Sequence, residues 1–333
     1  MYRNKTVGAV IPAYNEEPHI GEVIETLPEF VDRAYVVDDD STDGTWAEIE
    51  RHAEAVNEPP PEDPPVTDGG VALDPRIVPI QHDDNRGVGG AIKTGYLHAL
   101  DDGIDVTAVI AGDGQTQPDI VERIVAPVAE GTAGYAKGNR LLGRDRDDMP
   151  RLRQVGNFVL TFITKIASGY WKLMDPQNGS TAISHEALDR VDIEEMYEDY
   201  GYCNDLLIRL NANGVRVADV SRRAVYEDET SHIEYRTYVP KVSALLLRGF
   251  LRRLRTKYLV RDFHPLPLLY YLGALGAGSG LVAALARLLR SDDETRGVVG
   301  SLLLLFLGCL SLVLAMAFDH DENRDLQVRL YDR

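Results

Sequence analysis

Two long uncharged runs near the carboxyl terminus constrain this chain more than anything else in it. Pro265–Ala286 holds 22 residues without a charge and Val298–Phe318 holds 21. Each is long enough to cross a hydrocarbon core of roughly 30 Å as a helix. The second run is apolar on every side rather than along one stripe, which is not the pattern of a surface helix on a soluble domain. Arg290–Gly297 (RSDDETRG) is too polar to lie in lipid and reads as the loop between the two. Upstream, Arg248, Arg252, Arg253, Arg255, Lys257 and Arg261 lie among leucines, Val242, Phe250 and Tyr258. That is the pattern of a basic amphipathic helix at a membrane surface. It orients the first span with its amino end on the cytoplasmic side.

The preceding residues alternate short apolar runs with helical periodicity, which means a mainly parallel α/β sheet. Thr6–Ala13 and Arg33–Val37 read as the first two strands. A helix carrying Ile20, Val23, Ile24 and Leu27 lies between them. The second strand ends in Asp38, Asp39 and Asp40, which repel one another unless something cationic or hydrogen-donating is close. Asn57–Pro75 has six prolines, five acidic residues and no Lys or Arg, and reads as a solvated insertion. Asn85–Ala99 (NRGVGGAIKTGYLHA) is a poor dinucleotide fingerprint, because it follows the third strand and lacks the spaced third glycine. Close packing of a helix start explains Gly87, Gly89 and Gly90 equally well. Arg151–Trp171 reads as a longer helix with apolar positions Val155, Val159, Phe162, Ile163 and Ile166. Tyr202–Asn213 is a further helix, and Val215–Val220 reads as the final strand.

Ala108–Asp119 (AVIAGDGQTQPD) places Asp113 at the carboxyl end of a buried strand, where open α/β sheets hold their ligands. Gln115 lies two residues on, and two hard oxygen donors beside a diphosphate suit Mg²⁺ or Mn²⁺. The alternative is a loop Asp capping the helix that begins near Pro118. The net charge of −18 excludes a general nucleic-acid binder, which needs a basic face. Self-repulsion on that scale is also a solubility device in high-salt cytoplasm, and a haloarchaeal source is expected. Cys203 and Cys309 imply neither a disulfide framework nor a metal site. The amino terminus runs straight into a strand-like segment, without a signal-peptide pattern.

Taken together, IPAYNEE, VVDDDSTDGT, GDGQ and DPQNGSTAIS, in this order, resemble the family 2 glycosyltransferases of GT-A fold. Within these the chain looks most like the dolichyl-phosphate or polyprenyl-phosphate mannose and glucose synthases. The likeness covers roughly Thr6–Ile233. It implies a GT-A (Rossmann-like) domain over 1–236 with an insertion at 57–75, then an interfacial helix over 237–262. Transmembrane helices over 265–289 and 298–318 and a cytoplasmic tail over 319–333 complete the expected order. Pro12, Tyr14 and Glu16 are then implied to line the base and ribose of a UDP- or GDP-hexose, with Asp38 or Asp39 hydrogen-bonding the base. The likeness further implies that Asp113 and Gln115 hold the metal, that Arg140 contacts phosphate, and that Asp175 lies near the acceptor. Asp205 is a second acceptor-side candidate, or else a solvated helix residue. One departure stands out: the family's metal motif reads Asp-x-Asp, and Ala111 replaces its first Asp.

The expected activity is transfer of a hexose from the nucleotide sugar to a polyprenyl (dolichyl) phosphate at a membrane. The enzyme is expected to be a multi-pass protein with its catalytic domain in the cytoplasm. Two other readings stay open: extension of a lipid-linked glycan by one sugar, and a membrane-tethered sugar-nucleotide binder without turnover. A processive polysaccharide synthase is disfavoured, because neither Trp46 nor Trp171 sits in a Gln-x-x-Arg-Trp signature.

Overall fold

The computed structural model describes residues 1–58, 73–114, 118–140, 151–221, 235–290 and 295–330. Gln115 and most of the proline-rich insertion therefore lie outside the described residues. Strands and helices alternate as β1 (Val7–Ala13), α1 (Ile20–Glu25), β2 (Arg33–Asp38), α2 (Thr45–Asn57), β3 (Ile77–Gln81) and α3 (Val88–Asp101). There follow β4 (Val106–Val109), α4 (Pro118–Ala129), β5 (Tyr135–Asn139), α5 (Arg151–Ser168), β6 (Thr181–Ser184), α6 (His185–Arg190), α7 (Tyr202–Ala212) and β7 (Val217–Ser221). The membrane-associated part comprises α8 (Tyr235–Arg255), a π-helical segment over Thr256–Arg261, α9 (Leu266–Arg290) and α10 (Thr295–Glu322). The chain then returns as β8 (Gln327–Leu330).

Among the described residues, eight strands form one sheet in the order β3-β2-β1-β4-β6-β5-β7-β8. Of these, β6 alone runs antiparallel, pairing with β4 and β5. The period-two alternation of side chains splits the core between the two faces. Val7, Ala9 and Ile11 of β1 pack with Ile20, Ile24 and Ile49 from α1 and α2 and with Ile120 and Ile124 from α4. Val10 and Tyr35 point the other way, onto Ile92 and Tyr96 of α3 and Leu206 and Leu210 of α7. Each such aliphatic side chain contributes about 1.5–3 kcal/mol of burial.

The structure departs from the sequence reading in three places. The 319–333 segment, expected as a tail, carries the sheet's last strand, since β8 pairs parallel to β7 from Val217↔Gln327 to Val220↔Leu330. Second, α5 is inside out. Thr161, Thr164, Ala167 and Ser168 are buried, while Phe158, Val159, Phe162 and Ile163 are exposed, Phe158 at 70%. Third, much of the basic helix is spent on the protein itself. Arg253 is fully buried, Lys257 bonds Asn211 and Asn323, Arg252 bonds Asp205, and Arg261 bonds Ala212 O and Asn213.

The 25 residues of α9 and 28 of α10, at about 1.5 Å of rise each, exceed a hydrocarbon core. Their apolar side chains face outward: only 22% and 17% of the two apolar windows is buried, so these are not core helices of a soluble domain. Both helices are long and apolar enough to cross a membrane. Small residues let the pair pack backbone to backbone, as helices in lipid do. A Cβ on Gly308 would stand 2.1 Å from Ala277 N, and one on Gly280 2.4 Å from Leu305 N.

Gly308→Leu is therefore expected to splay the hairpin and destabilise the detergent-solubilised protein by roughly 1–3 kcal/mol, the usual cost of overpacking. Gly278→Leu, which points into open space, is the control and is expected to leave the melting temperature unchanged. Equal melting temperatures for the two variants would contradict this packing.

Candidate functional site

The carboxyl ends of β1 and β2 are stitched together by the residues that follow them. Asp39 N donates to Ala13 O at 2.9 Å. Asn15 N donates to Ser41 Oγ at 2.9 Å, and Asn15 Oδ1 accepts from Thr42 N at 2.8 Å. Asn15 sits at φ 56°, a left-handed conformation that asparagine tolerates better than most residues. Glu16 N donates to Thr45 Oγ1 at 2.8 Å, and Gly44 N to Glu17 Oε2 at 3.0 Å. Thus YNEE and DDDSTDGT form one hydrogen-bonded rim.

The acidic run does not stay a cluster of repelling charges. Asp39 Oδ1 lies 2.7 Å from His82 Nδ1 and accepts from Arg86 N at 2.9 Å. His82 Nε2 is 2.9 Å from Thr94 Oγ1 of α3, so Asp39 is braced from β3 and α3 together. Asp38 is fully buried and accepts from Gln81 Nε2 and Ser41 N. His82 was not singled out from the sequence, although it directly follows a strand, as Asp39 does.

This rim borders a cleft of about 540 Å³, lined on one side by Pro12, Tyr14, Glu16, Asp39 and Asp113. Tyr14 is 47% exposed, which leaves its ring a face for stacking. Asp113 follows β4 on the Gly112-Asp113-Gly114 turn. A Cβ on Gly112 would stand 2.8 Å from Pro12 O, so only glycine lets this turn lie against the end of β1. The wall also holds Asn85, whose Nδ2 donates to Asp39 O at 3.0 Å, and Gly87, Asp199 and Tyr200, none of them anticipated as cleft residues. The glycine-rich helix start serves this wall by packing. Gly90 N donates to Glu198 O at 3.0 Å, and a Cβ on Gly89 would meet Tyr197 O at 2.6 Å. Asp38, Arg140 and Asp175 do not line the cleft.

Arg140 and Asp175 come together with each other instead. Asp175 accepts from Arg140 N at 3.2 Å, Nε at 2.9 Å and Nη2 at 3.1 Å, and from Asn178 Nδ2 at 3.1 Å. Burial alone would raise its pKa, but these hydrogen bonds and the charges of Arg140 and Lys137 outweigh it and bring it down to about 2. Beneath lies a buried ion pair: Lys137 Nζ meets Asp219 Oδ1 at 3.1 Å, with both side chains at most 1% exposed. Lys137 Nζ also donates to Met174 O, and Asp219 Oδ2 accepts from Met174 N, fixing the residue that precedes Asp175. Because β6 is antiparallel, the Asp175–Ser180 loop before it lies at the sheet edge where β4 and β5 end. Asp205 is not the solvated helix residue entertained above. It is 3% exposed, and its carboxylate takes Arg209 Nε at 2.7 Å, Arg252 Nη2 at 2.8 Å and Tyr197 N at 3.1 Å.

Residues 9–192 match the family model described as Glycosyl transferase family 2. A UDP-N-acetylglucosamine–dolichyl-phosphate N-acetylglucosaminyltransferase of Methanococcus voltae is 30% identical over 227 residues, 68% of this chain and 88% of that protein. A polyprenol monophosphomannose synthase of Mycolicibacterium smegmatis is 28% identical over 264 residues, 74% of this chain and 89% of that protein. Among solved structures, a glucosyl-3-phosphoglycerate synthase of Mycobacterium tuberculosis in complex with Mn²⁺, UDP-glucose and phosphoglyceric acid is similar in fold. Its TM-score is 0.50 at 20% identity, over 74% of this chain and 80% of that one. With the sheet order and the strand-end cleft described above, these likenesses place the chain in glycosyl transferase family 2, on a GT-A fold followed by two apolar helices long enough to span a membrane.

Proposed function

We propose that the protein transfers a hexose from a nucleoside diphosphate sugar to a polyprenyl phosphate, from the cytoplasmic face of the membrane. The observation that carries this reading is a nucleotide-sized acidic cleft and an exposed apolar surface on one domain. The exposed row Phe158, Val159, Phe162 and Ile163 is the kind of apolar patch that soluble monomers avoid, and it lies on a helix packed against α8. In this reading Tyr14 stacks on the base, Asp39 accepts from a base N–H, and Pro12 and Glu16 border the ribose. Asp113, a hard oxygen donor at the cleft wall, fits a divalent cation, Mg²⁺ or Mn²⁺. With Ala111 where a second carboxylate would stand, Gln115 and the diphosphate itself supply further oxygens. When bound, that cation neutralises negative charge on the departing diphosphate.

Transfer is then a displacement. A lipid phosphate oxygen bonds to the anomeric carbon, the bond to the diphosphate oxygen breaks, and its electron pair leaves with the nucleoside diphosphate. Such a phosphate resembles phosphoserine, whose second pKa is about 6, so it needs no general base. Asp175, already ionised and paired with Arg140, orients the acceptor side of the site.

The reading is tested by incubating membranes with radiolabelled UDP- and GDP-sugars and polyprenyl phosphate. Mass spectrometry is expected to find a lipid with one phosphate and one hexose. A pyrophosphate-linked glycan longer by one sugar would refute the phosphate acceptor. Activity is expected to vanish with a chelator, and Asp113→Ala to cost roughly 10²–10³ in rate, the scale of a lost electrostatic group at the reacting centre.

Asp175→Asn is expected to keep part of the activity, by the same factor at pH 6 and pH 8.5, whereas loss of a general base costs about 10²–10⁴. The pH dependence of stability gives a second readout. A carboxylate whose pKa falls from 3.8 to about 2 on folding stabilises fully above the higher value and loses that contribution as pH falls through the lower one. The melting-temperature difference between wild type and Asp175→Asn is therefore expected to be constant above about pH 5 and to shrink between about pH 4 and 2. A difference that varies between pH 6 and 8 would contradict the assignment.

In this reading the sheet domain faces the cytoplasm and only the loop between the two spans lies outside. In intact cells, with Cys309 replaced by Ala, a membrane-impermeant maleimide is expected to label Ser291→Cys and to miss Thr67→Cys. Labelling at position 67 would reverse the topology.

A further inference from the structure

We propose that the strand following the second membrane span positions the acceptor side of the site, with Gln327 as the positioning residue for the segment that leads into Asp175. The proposal rests on the transferase reading above and extends it to residues outside the sheet edge where that site lies. Its basis is a bracket around Lys172. Gln327 Oε1 accepts from Lys172 N at 2.6 Å, and Arg329 Nε donates to Lys172 O at 2.9 Å. Both backbone polar groups of Lys172 are thus satisfied by β8.

Gln327 is itself 6% exposed and held, since its Nε2 donates to Asn323 O at 3.0 Å. One residue earlier, Trp171 Nε1 donates to Asp319 Oδ2 of α10 at 3.3 Å. Two residues later, Met174 is gripped through N and O by Asp219 and Lys137. Asp175 then adopts φ 47°, a left-handed conformation that costs energy unless its surroundings enforce it. The enforcing contacts come from two sides, the Lys137–Asp219 pair below and the post-membrane strand beside. Removing one side leaves the loop free to relax and the Asp175–Arg140 pair to drift. The donor cleft lies across the sheet, at the ends of β1, β2 and β4, and shares no residue with this bracket.

The full-length protein in nanodiscs, as wild type, Gln327→Ala and Gln327→Glu, separates positioning from general damage. In Gln327→Ala, hydrogen exchange of a peptide spanning residues 170–178 is expected to accelerate. Its kcat for lipid glycosylation is expected to fall on the order of tenfold, the scale of a lost supporting contact. The affinity for UDP or GDP, measured by calorimetry, is expected to stay at the wild-type value. Gln327→Glu keeps the oxygen facing Lys172 N, and is expected to restore both exchange protection and most of kcat. Unchanged exchange in Gln327→Ala would overturn the proposal, and so would a loss of nucleotide affinity equal to the loss of kcat. If wild type itself fails to glycosylate polyprenyl phosphate, the transferase reading falls, while the exchange comparison still decides whether Gln327 holds this loop.

Discussion

The attachment of membrane hairpin to sheet depends on one buried ion pair, Arg253 with Asp319, both side chains wholly inaccessible. The pairing is bidentate, Nη1 to Oδ1 and Nη2 to Oδ2, each at 2.9 Å. A buried guanidinium is tolerable only when its remaining donors are also satisfied. Here Nε bonds Ala167 O, Nη2 also bonds Ile166 O, and Nη1 reaches Asn211 Oδ1. The carboxylate is as well supplied, by Tyr258 OH at 2.8 Å and Asn323 Nδ2 at 3.0 Å. One side chain of α8 thus joins the ends of α5, α7 and α10. Removing either charge would strand the other, at a cost of about 3–5 kcal/mol. Lys257, about one turn on, shows the same environment: burial and the Arg253 charge lower its pKa to about 8.

That junction changes what the sheet is. The chain leaves the domain after β7, passes through α8 and the apolar helices α9 and α10, and only then contributes β8. A strand as short as Gln327–Leu330 has little stability of its own. It persists because Asp319 and Asn323 fix the chain immediately before it and Val217–Val220 of β7 offer an unpaired edge. Covering that edge also blunts a surface on which other chains would add strands. The hairpin is consequently no tether on a flexible stalk. Its second helix ends inside the catalytic domain.

The parts of this arrangement that were legible from sequence are those where chemistry sits at a strand end. Asp39 and Asp113 were found that way, and the same rule would have found His82 had the residue after Gln81 been weighed. What stayed hidden has a physical reason in each case. Periodicity in α5 located an apolar stripe but does not say which side is water, and in this helix the side facing out is the apolar one. The arginines of α8 were read as a cluster facing a membrane surface, and nothing in a linear pattern announces that Asp319, 66 residues on, will neutralise Arg253. QVRL is too short to carry a strand signal. Asp205 looked like a helix-surface carboxylate because its partners come from three directions, Arg209 on its own helix, Arg252 on α8 and the Tyr197 amide.

Sheet order then bears on how a water-soluble donor and a lipid-bound acceptor could meet. The cleft lies at the ends of β1, β2 and β4, toward the β3 edge, whereas the hairpin is anchored at the β7–β8 edge. Between them sit β6 and β5, carrying the Asp175–Arg140 pair. In the proposed function, a nucleotide would enter from the side remote from α9 and α10, and a lipid headgroup would reach the pair from the side nearer α5 and α8. On that reading the cleft and the pair are neighbours along one sheet, because β4 adjoins β6, and each ligand arrives from its own side. The same reading accounts for a carboxylate on the proposed acceptor side being already neutralised by Arg140. An unpaired Asp175 would repel an incoming phosphate, whereas the pair presents an arginine whose side chain is still 39% exposed to an anion that must come close before it can react.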